Sequence, residues 1–276
     1  MAAGRSGTDA ADVPPLRTRR PFLVAHLKAW HGVRSVVHTM SRANQWDVAG
    51  AQRWLKSHAR KATLDAMARY AIISDRALGV AMRDIQALAR QIGRDHTLAA
   101  DLWKTGVYEA RLLAAYVDDP RQVTAAQMDR WCRDFDNWGV CDTVCFALFD
   151  RTPHAWAKVS AWAGRRAEYE KRAAFALLWG LTVHDKEAGD APFLEGLQLI
   201  RRAADDDRHF VKKAVNMALR ATGKRNAVLH AAALDLAGGL AASGSAAATW
   251  VGKDALRELS SAGVRRRVTA RAKRGA

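Results

Sequence analysis

The chain has 276 residues, 49% of them hydrophobic, and a formal net charge of +16 from 44 lysines and arginines against 28 acids. That length and apolar content allow a sizeable core, and no run approaches the roughly 18 uncharged apolar residues of a membrane span. The first residues carry Asp9 and Asp12 and no hydrophobic run, so neither a secretory signal nor a transit peptide is expected.

Apolar residues recur at spacings of three and four, and alternation with a period of two is scarce, which predicts an all-α protein. We expect a disordered arm over residues 1–20, a helical domain over 21–262, and a basic, frayed tail over 263–276. The predicted helices are 50–73, 80–92, 96–104, 107–117, 124–134 with Thr124 as N-cap, 138–149, 154–163, 167–183, 193–204, 208–222, 227–240 and 247–260.

These helices form pairs joined by short turns, with about 35–40 residues per pair, which is typical of HEAT-like repeats. Stacked antiparallel pairs would form a curved solenoid whose concave face is long enough to lie along a DNA duplex. The pairs share little sequence, so a globular helical bundle remains the alternative.

The positive charge is spread along the chain. The segment from Arg265 onward holds six cations and no acid, yet residues 21–264 alone keep an excess of eight cations. A distributed charge of this size favours a polyanion such as DNA as the partner. A solvated basic surface without a specific ligand is the alternative.

Asp142 and Trp138 lie four residues apart at the start of a predicted helix and therefore share one helix face. An aromatic ring beside a carboxylate can stabilise a cationic group. In the structural alternative, Trp138 belongs to the core and Asp142 favours the helix N-terminus through its charge.

Arg172 precedes an apolar helical turn and is expected to border the core, where an arginine usually pairs with a carboxylate or a phosphate. Asp142 is a plausible partner if the two helices are neighbours. A structural ion pair and an active-site role are both compatible with this position.

A basic stripe runs along the predicted helix 208–222 and past its end. Lys213, Met217, Arg220 and Lys224 recur at spacings of four, three and four, and residues 208–225 contain no acid. Such a stripe suits the successive phosphates of a DNA strand, whereas a merely solvated face more often includes acids.

The three cysteines, Cys132, Cys141 and Cys145, are an odd number without a disulfide framework and without paired ligands at zinc-finger spacing. We interpret them as small core residues. The tryptophans are too dispersed for a stacking platform and are expected mostly in the core. Neither a metal nor a cofactor is expected, since nucleotide-binding and metalloprotease motifs are missing from the sequence.

At these same segments the chain resembles the AlkD-type DNA alkylation repair proteins, which are HEAT-like DNA glycosylases. The resemblance covers roughly residues 50–235. It rests on M-A-R-Y (67–70), L-G-V (78–80), L-W (102–103), W-G-V-C-D (138–142), K-R-A-A-F (171–175) and K-K-A-V-N-M-A-L-R (212–220).

The resemblance implies an enzyme that excises N3- or N7-alkylated purines from duplex DNA without a metal or cofactor. The absence of a targeting signal predicts a cytoplasmic location, with association to the nucleoid through DNA, and a monomer is expected because nothing in the sequence demands an oligomer. The resemblance also implies that Asp142 stabilises positive charge on the deoxyribose, that Trp138 packs against the lesion's sugar-phosphate, and that Arg172 is an active-site arginine. The residues expected to contact DNA or the lesion are Tyr70, Lys212, Lys213, Asn216, Met217, Arg220, Lys224 and Arg225.

One position departs from the family pattern. Met217 stands where these proteins commonly have a second active-site tryptophan, and a thioether lacks a comparable flat π-face. The departure favours weaker catalysis or a narrower lesion range, and it makes a non-catalytic DNA-binding protein the main alternative. A protein-binding scaffold is a further alternative, because helical repeats often serve that role.

Overall fold

The structure is a computed structural model that describes residues 46–275, with side chains to residue 270, all within the unit Arg42–Ala276. The predicted arm, residues 1–20, lies outside the described residues. The described part is all-helical in its regular structure and has no strand, as predicted. Its helices are α1 Val48–Ser57, α2 Lys61–Arg69, α3 Met82–Ile92, α4 His96–Lys104, α5 Tyr108–Val117, α6 Ala125–Arg133, α7 Trp138–Ala147, α8 Ala155–Ala163, α9 Glu168–His184, α10 Ala191–Ala203, α11 His209–Thr222, α12 Ala227–Ala241, α13 Ala246–Leu259 and α14 Ala262–Gly275, with a 3₁₀ turn Phe149–Arg151 after α7.

Side chains that accept hydrogen bonds from the first turn fix several helix starts. Thr124 Oγ1 accepts from the Gln127 N–H at 3.1 Å, which confirms Thr124 as the N-cap of α6. Asn137 Oδ1 accepts from the Val140 N–H at 2.9 Å and so sets the start of α7. Each cap satisfies an amide that has no partner inside its helix.

The helices form two layers. In the first, α3, α5, α7, α9, α11 and α13 pack side by side, and the second holds α8, α10, α12 and α14. Contacts in the same order along both helices make α7, α9, α11 and α13 parallel to one another. Along α7 and α9 they run from Asp142–Arg172 to Phe146–Trp179, along α9 and α11 from Arg172–Phe210 to Thr182–Arg225, and along α11 and α13 from Asn216–Val251 to Arg220–Glu258. Between two parallel helices of the first layer the chain returns through a helix of the second layer. The helices therefore form a stack of antiparallel pairs.

The predicted helix 50–73 is wrong at its centre, because the chain breaks into α1 and α2 at residues 58–60. After α2 an irregular segment runs to α3, and Ala71 takes a positive φ of 55° there. The buried carboxylate of Glu109 accepts the N–H groups of Leu78, Gly79 and Val80 at 2.7–3.2 Å and ties this segment to α5. These three bonds replace the helical ones that the segment lacks.

The end of the chain also differs from the expected frayed tail. Residues 262–275 form α14, and Val264 and Val268, one turn apart, are buried against the rest of the molecule. An apolar pair at a spacing of four is a minimal helical contact face, and the dense arginines around it concealed that face in the sequence.

The core contains the three cysteines, as expected, but only three of the described tryptophans, Trp103, Trp131 and Trp162, are buried, and the other six are half-buried. Cys132, Cys141 and Cys145 are buried free thiols. Trp103 and Trp131 stack at 4.0 Å between ring centroids inside the molecule. None of the helices in the described part is long and apolar enough to span a membrane.

Candidate functional site

Asp142 and Arg172 form a two-pronged ion pair between α7 and α9. Arg172 Nε donates to Asp142 Oδ1 at 2.9 Å, and Nη2 donates to Asp142 Oδ2 at 2.6 Å. The remaining Nη1 donates to the Phe210 carbonyl on α11 at 2.7 Å. The guanidinium therefore links three neighbouring helices of one layer, as the sequence suggested for Asp142 and Arg172.

Burial decides the electrostatics of this pair. The Arg172 side chain is 4% exposed and that of Asp142 is 16% exposed. Burial raises the pKa of the Asp142 carboxyl, and the charge and hydrogen bonds of Arg172 partly oppose that rise. Burial lowers the pKa of Arg172, but the adjacent carboxylate outweighs it and the arginine pKa is raised. The pair thus holds one fixed dipole at the protein surface.

Trp138 lies beside the pair in a fixed orientation. Its indole N–H donates to the Tyr70 carbonyl at 2.9 Å, and Arg172 Cζ lies 5.9 Å from its ring centroid. The cation expected beside this ring is thus supplied by the protein itself. Next to Trp138, Gly139 permits the close approach of α7 to Tyr108 on α5, because a Cβ at residue 139 would lie 2.7 Å from Tyr108 Oη.

An open pocket of about 340 Å³ adjoins Asp142. Phe146 and Trp179 form an aromatic edge-to-face pair in it, with ring centroids 4.6 Å apart and an interplanar angle of 78°. The pocket is lined by Tyr116, Asp142, Thr143, Phe146, Ala147, Arg151 and Trp179. Sequence analysis did not identify Phe146 or Trp179 as site residues, although Phe146 follows Asp142 by one helical turn and Trp179 follows Arg172 by two.

The first part of the predicted basic stripe is presented to solvent. Lys213 is exposed and Lys212 is half-buried, and their ammonium groups lie 5.1 and 5.5 Å from the ring centroid of Trp250 on α13. Half-buried Met217 follows on the same face as Lys213. Tyr70 is 71% exposed and lies beside Trp138 through its carbonyl. These four residues are accessible to a large ligand.

Asn216, predicted to contact DNA, is instead a core residue. It is 1% exposed, and its amide donates to the Val251 carbonyl of α13 at 3.2 Å. Its place one residue before Met217 points it away from the exposed stripe. The helical period therefore assigns it to the packing of α11 on α13.

The last part of the stripe is already engaged within the protein. Lys224 Nζ lies 2.6 Å from Glu258 Oε1, and Arg220 donates to the other oxygen of the same carboxylate. Arg225 donates to the carbonyls of Thr182 and Ala188. The neutralising acid comes from α13 rather than from the stripe's own helix. The absence of acids in residues 208–225 therefore led to an overestimate of the positive charge available to a ligand.

The described residues contain no group of three or more His, Cys, Asp or Glu side chains able to hold a metal ion. The Asp142 pocket presents one carboxylate and several aromatic rings. That combination suits a large, partly cationic organic group better than a metal.

The comparisons with known proteins agree with this architecture. A solved structure described as "a new family of proteins related to the HEAT-like repeat DNA glycosylases with affinity for branched DNA structures" superposes with a TM-score of 0.64. It shares 20% sequence identity and covers 70% of this chain and 83% of that one, so it shows the HEAT-like fold. No curated protein matches the chain. The sequence model of the family described as DNA alkylation repair enzyme matches residues 51–259, three quarters of the chain, and the protein therefore belongs to that family.

Proposed function

We propose that the protein is a DNA glycosylase that acts as a monomer and excises positively charged N3- or N7-alkylated purines from duplex DNA. The observation that carries this proposal is the fixed Asp142 carboxylate at the edge of an open aromatic pocket, with Trp138 beside it. Family membership supports an activity on DNA.

The chemistry requires little beyond that carboxylate. An alkylated purine that already carries a positive charge leaves as a neutral base, so no general acid is required. Positive charge develops on the deoxyribose as the glycosidic bond breaks, and a fixed carboxylate beside the sugar stabilises that charge. The carboxylate also offers lone pairs to orient the water that completes the hydrolysis.

Arg172 acts as a positioning residue in this scheme. Its guanidinium holds both oxygens of Asp142, and its charge and hydrogen bonds oppose the rise that burial causes in the pKa of that carboxyl. Two of the roughly four lone-pair directions of a carboxylate are then occupied, and the others stay open to the sugar or to water. Lys212 and Lys213 supply phosphate contacts at the edge of the same layer.

The test is single-turnover release of 7-methylguanine and 3-methyladenine from methylated duplex DNA. We expect release by the wild type and a loss of at least about a hundredfold in Asp142→Asn, because one electrostatic stabiliser of this kind contributes roughly that much. Asp235→Asn, an equal charge change at an exposed position on α12, is the matched control and should keep its rate. Equal rates in Asp142→Asn and the wild type would remove Asp142 from the mechanism.

A second function, DNA binding without cleavage, is favoured by Met217 and by the ion pair that Asp142 already makes. In the free protein Arg172 neutralises the carboxylate, which weakens its pull on a sugar cation. The similar solved structure belongs to a family described as having affinity for branched DNA structures. Salt-sensitive binding to four-way or three-way junctions together with no base release would establish this second function and refute the first.

A further inference from the structure

A second pocket, of about 290 Å³, lies where α14 meets the ends of α9 and α11. Four cationic side chains line it: Lys186 after α9, Lys224 and Arg225 after α11, and Arg267 on α14. No acidic side chain is among the lining residues.

Two of the four cations are held by the protein, and two are not paired with a carboxylate in the part of the chain that the structure describes. Lys224 is paired with Glu258, and Arg225 donates to two carbonyls, so these two are held in place. Lys186 and Arg267 are exposed and form no ion pair with any carboxylate in the described residues. Like charges brought to one pocket repel each other, and a bound anion would reverse the sign of that interaction.

Packing of α14 positions Arg267 at this pocket. Val264 and Val268 anchor α14 and themselves line the pocket, which places Arg267 at its rim. The family match ends at residue 259, before α14 begins. The pocket is thus completed by a helix that lies outside the matched range.

One side chain connects the two pockets. Trp179 lines the Asp142 pocket on one side and the cationic pocket on the other. The two pockets therefore share one wall, and a strand bound at Asp142 can continue past that indole to the cations. A phosphodiester is an anion of suitable size and charge for several convergent cations.

We propose that the pocket formed by Lys186, Lys224, Arg225 and Arg267 binds a backbone phosphate of the DNA strand whose nucleotide occupies the Asp142 pocket. This inference rests on the proposed binding of DNA, but not on base release. It gives α14 a defined function, which is to fix the position of the damaged strand along the first layer.

The test compares two doubly substituted full-length proteins that lose the same charge. Lys186→Gln with Arg267→Gln removes two pocket cations, and Arg265→Gln with Arg266→Gln removes two arginines of α14 that do not line the pocket. Fluorescence anisotropy measures the affinity for a labelled duplex containing 7-methylguanine at a series of NaCl concentrations. We expect the pocket variant to lose about 0.9 from the slope of log K against log salt, equivalent to about eightfold weaker binding at 0.1 M salt.

The control variant should lose much less in both slope and affinity. Equal losses in the two variants would show diffuse electrostatics and overturn the proposal, as would no loss in either. If the pocket instead binds free phosphate, inorganic phosphate would raise the melting temperature of the wild type and not of the pocket variant, and the two proteins would have the same DNA affinity. That result would also overturn the proposal. Since the assay reads binding alone, absence of base release would count against the glycosylase and leave this measurement valid.

Discussion

Replacing Arg172 by glutamine is the sharpest perturbation of the Asp142 site. It removes two hydrogen bonds to Asp142, of 2.9 and 2.6 Å, and one to the Phe210 carbonyl, of 2.7 Å. Both partners are largely buried, with exposures of 4% and 16%. Loss of one partner from such a pair leaves an uncompensated buried charge and costs about 3–5 kcal/mol of unfolding free energy at neutral pH.

The sign of the pH dependence follows from the same pair. Burial raises the pKa of Asp142, and removal of Arg172 takes away the groups that oppose this rise. In Arg172→Gln the folded-state pKa of Asp142 therefore lies further above its unfolded value of about 3.9. An acid with a raised folded pKa loses stabilising effect as the pH rises through that pKa, so the deficit should shrink as the pH is lowered.

Urea unfolding at pH 5 and pH 8 measures the effect, with Arg201→Gln, an exposed arginine on α10, as the control that should stay within about 0.5 kcal/mol of wild type. A cycle with Asp142→Asn and the double variant should yield a coupling of about 2–3 kcal/mol. A deficit in Arg172→Gln below about 1 kcal/mol that is the same at both pH values would refute the reasoning.

Three other outcomes are expected. The acid limb of the pH–rate profile for base release should lie above the ordinary aspartate pKa of about 3.9, because burial raises the pKa of Asp142 and its ionised form is the active one; a limb at or below that value would contradict this role. Lys213→Ala should weaken DNA binding several-fold and lower the salt dependence of the binding constant by about 1. Asn216→Ala should leave the DNA affinity unchanged and cost about 1 kcal/mol of unfolding free energy. DNA titrations and urea unfolding of both variants check this, and a loss of DNA affinity in Asn216→Ala would contradict its burial. Glu109→Ala should lower the free energy of unfolding by about 3 kcal/mol, because three backbone N–H groups lose a charged acceptor. Hydrogen exchange at residues 78–80 should accelerate, and unchanged exchange would show that another contact holds the segment.

Local signals in the sequence predicted most of the helices. Capping residues such as Thr124 and apolar spacing placed most boundaries within two residues of those observed, because these signals act over one or two turns. The break at residues 58–60 carries no proline or glycine, and it depends on contacts with the distant segment near Gly79, whose carbonyl accepts from the Arg60 N–H. Such long-range contacts leave no local pattern.

The candidate site was predicted in part for the same reason. Asp142 and Arg172 were paired correctly because a cation at the border of the core requires a nearby anion. The basic stripe was overestimated because Glu258 neutralises two of its members from another helix. Trp179 was assigned to the core because its two pockets exist only once α7, α9, α11 and α14 have come together.

The parallel arrangement of α7, α9, α11 and α13 has a consequence for the affinity for polyanions. Each helix carries about half a positive charge at its N-terminus through its aligned peptide dipoles, and parallel neighbours place these ends along one edge of the layer. Trp138 lies in the first turn of α7, at this edge, and Lys213 lies in the second turn of α11, close to it. The backbone therefore contributes a row of positive ends that no side-chain substitution removes, and an anionic strand aligned with it is attracted even where the lysines are replaced.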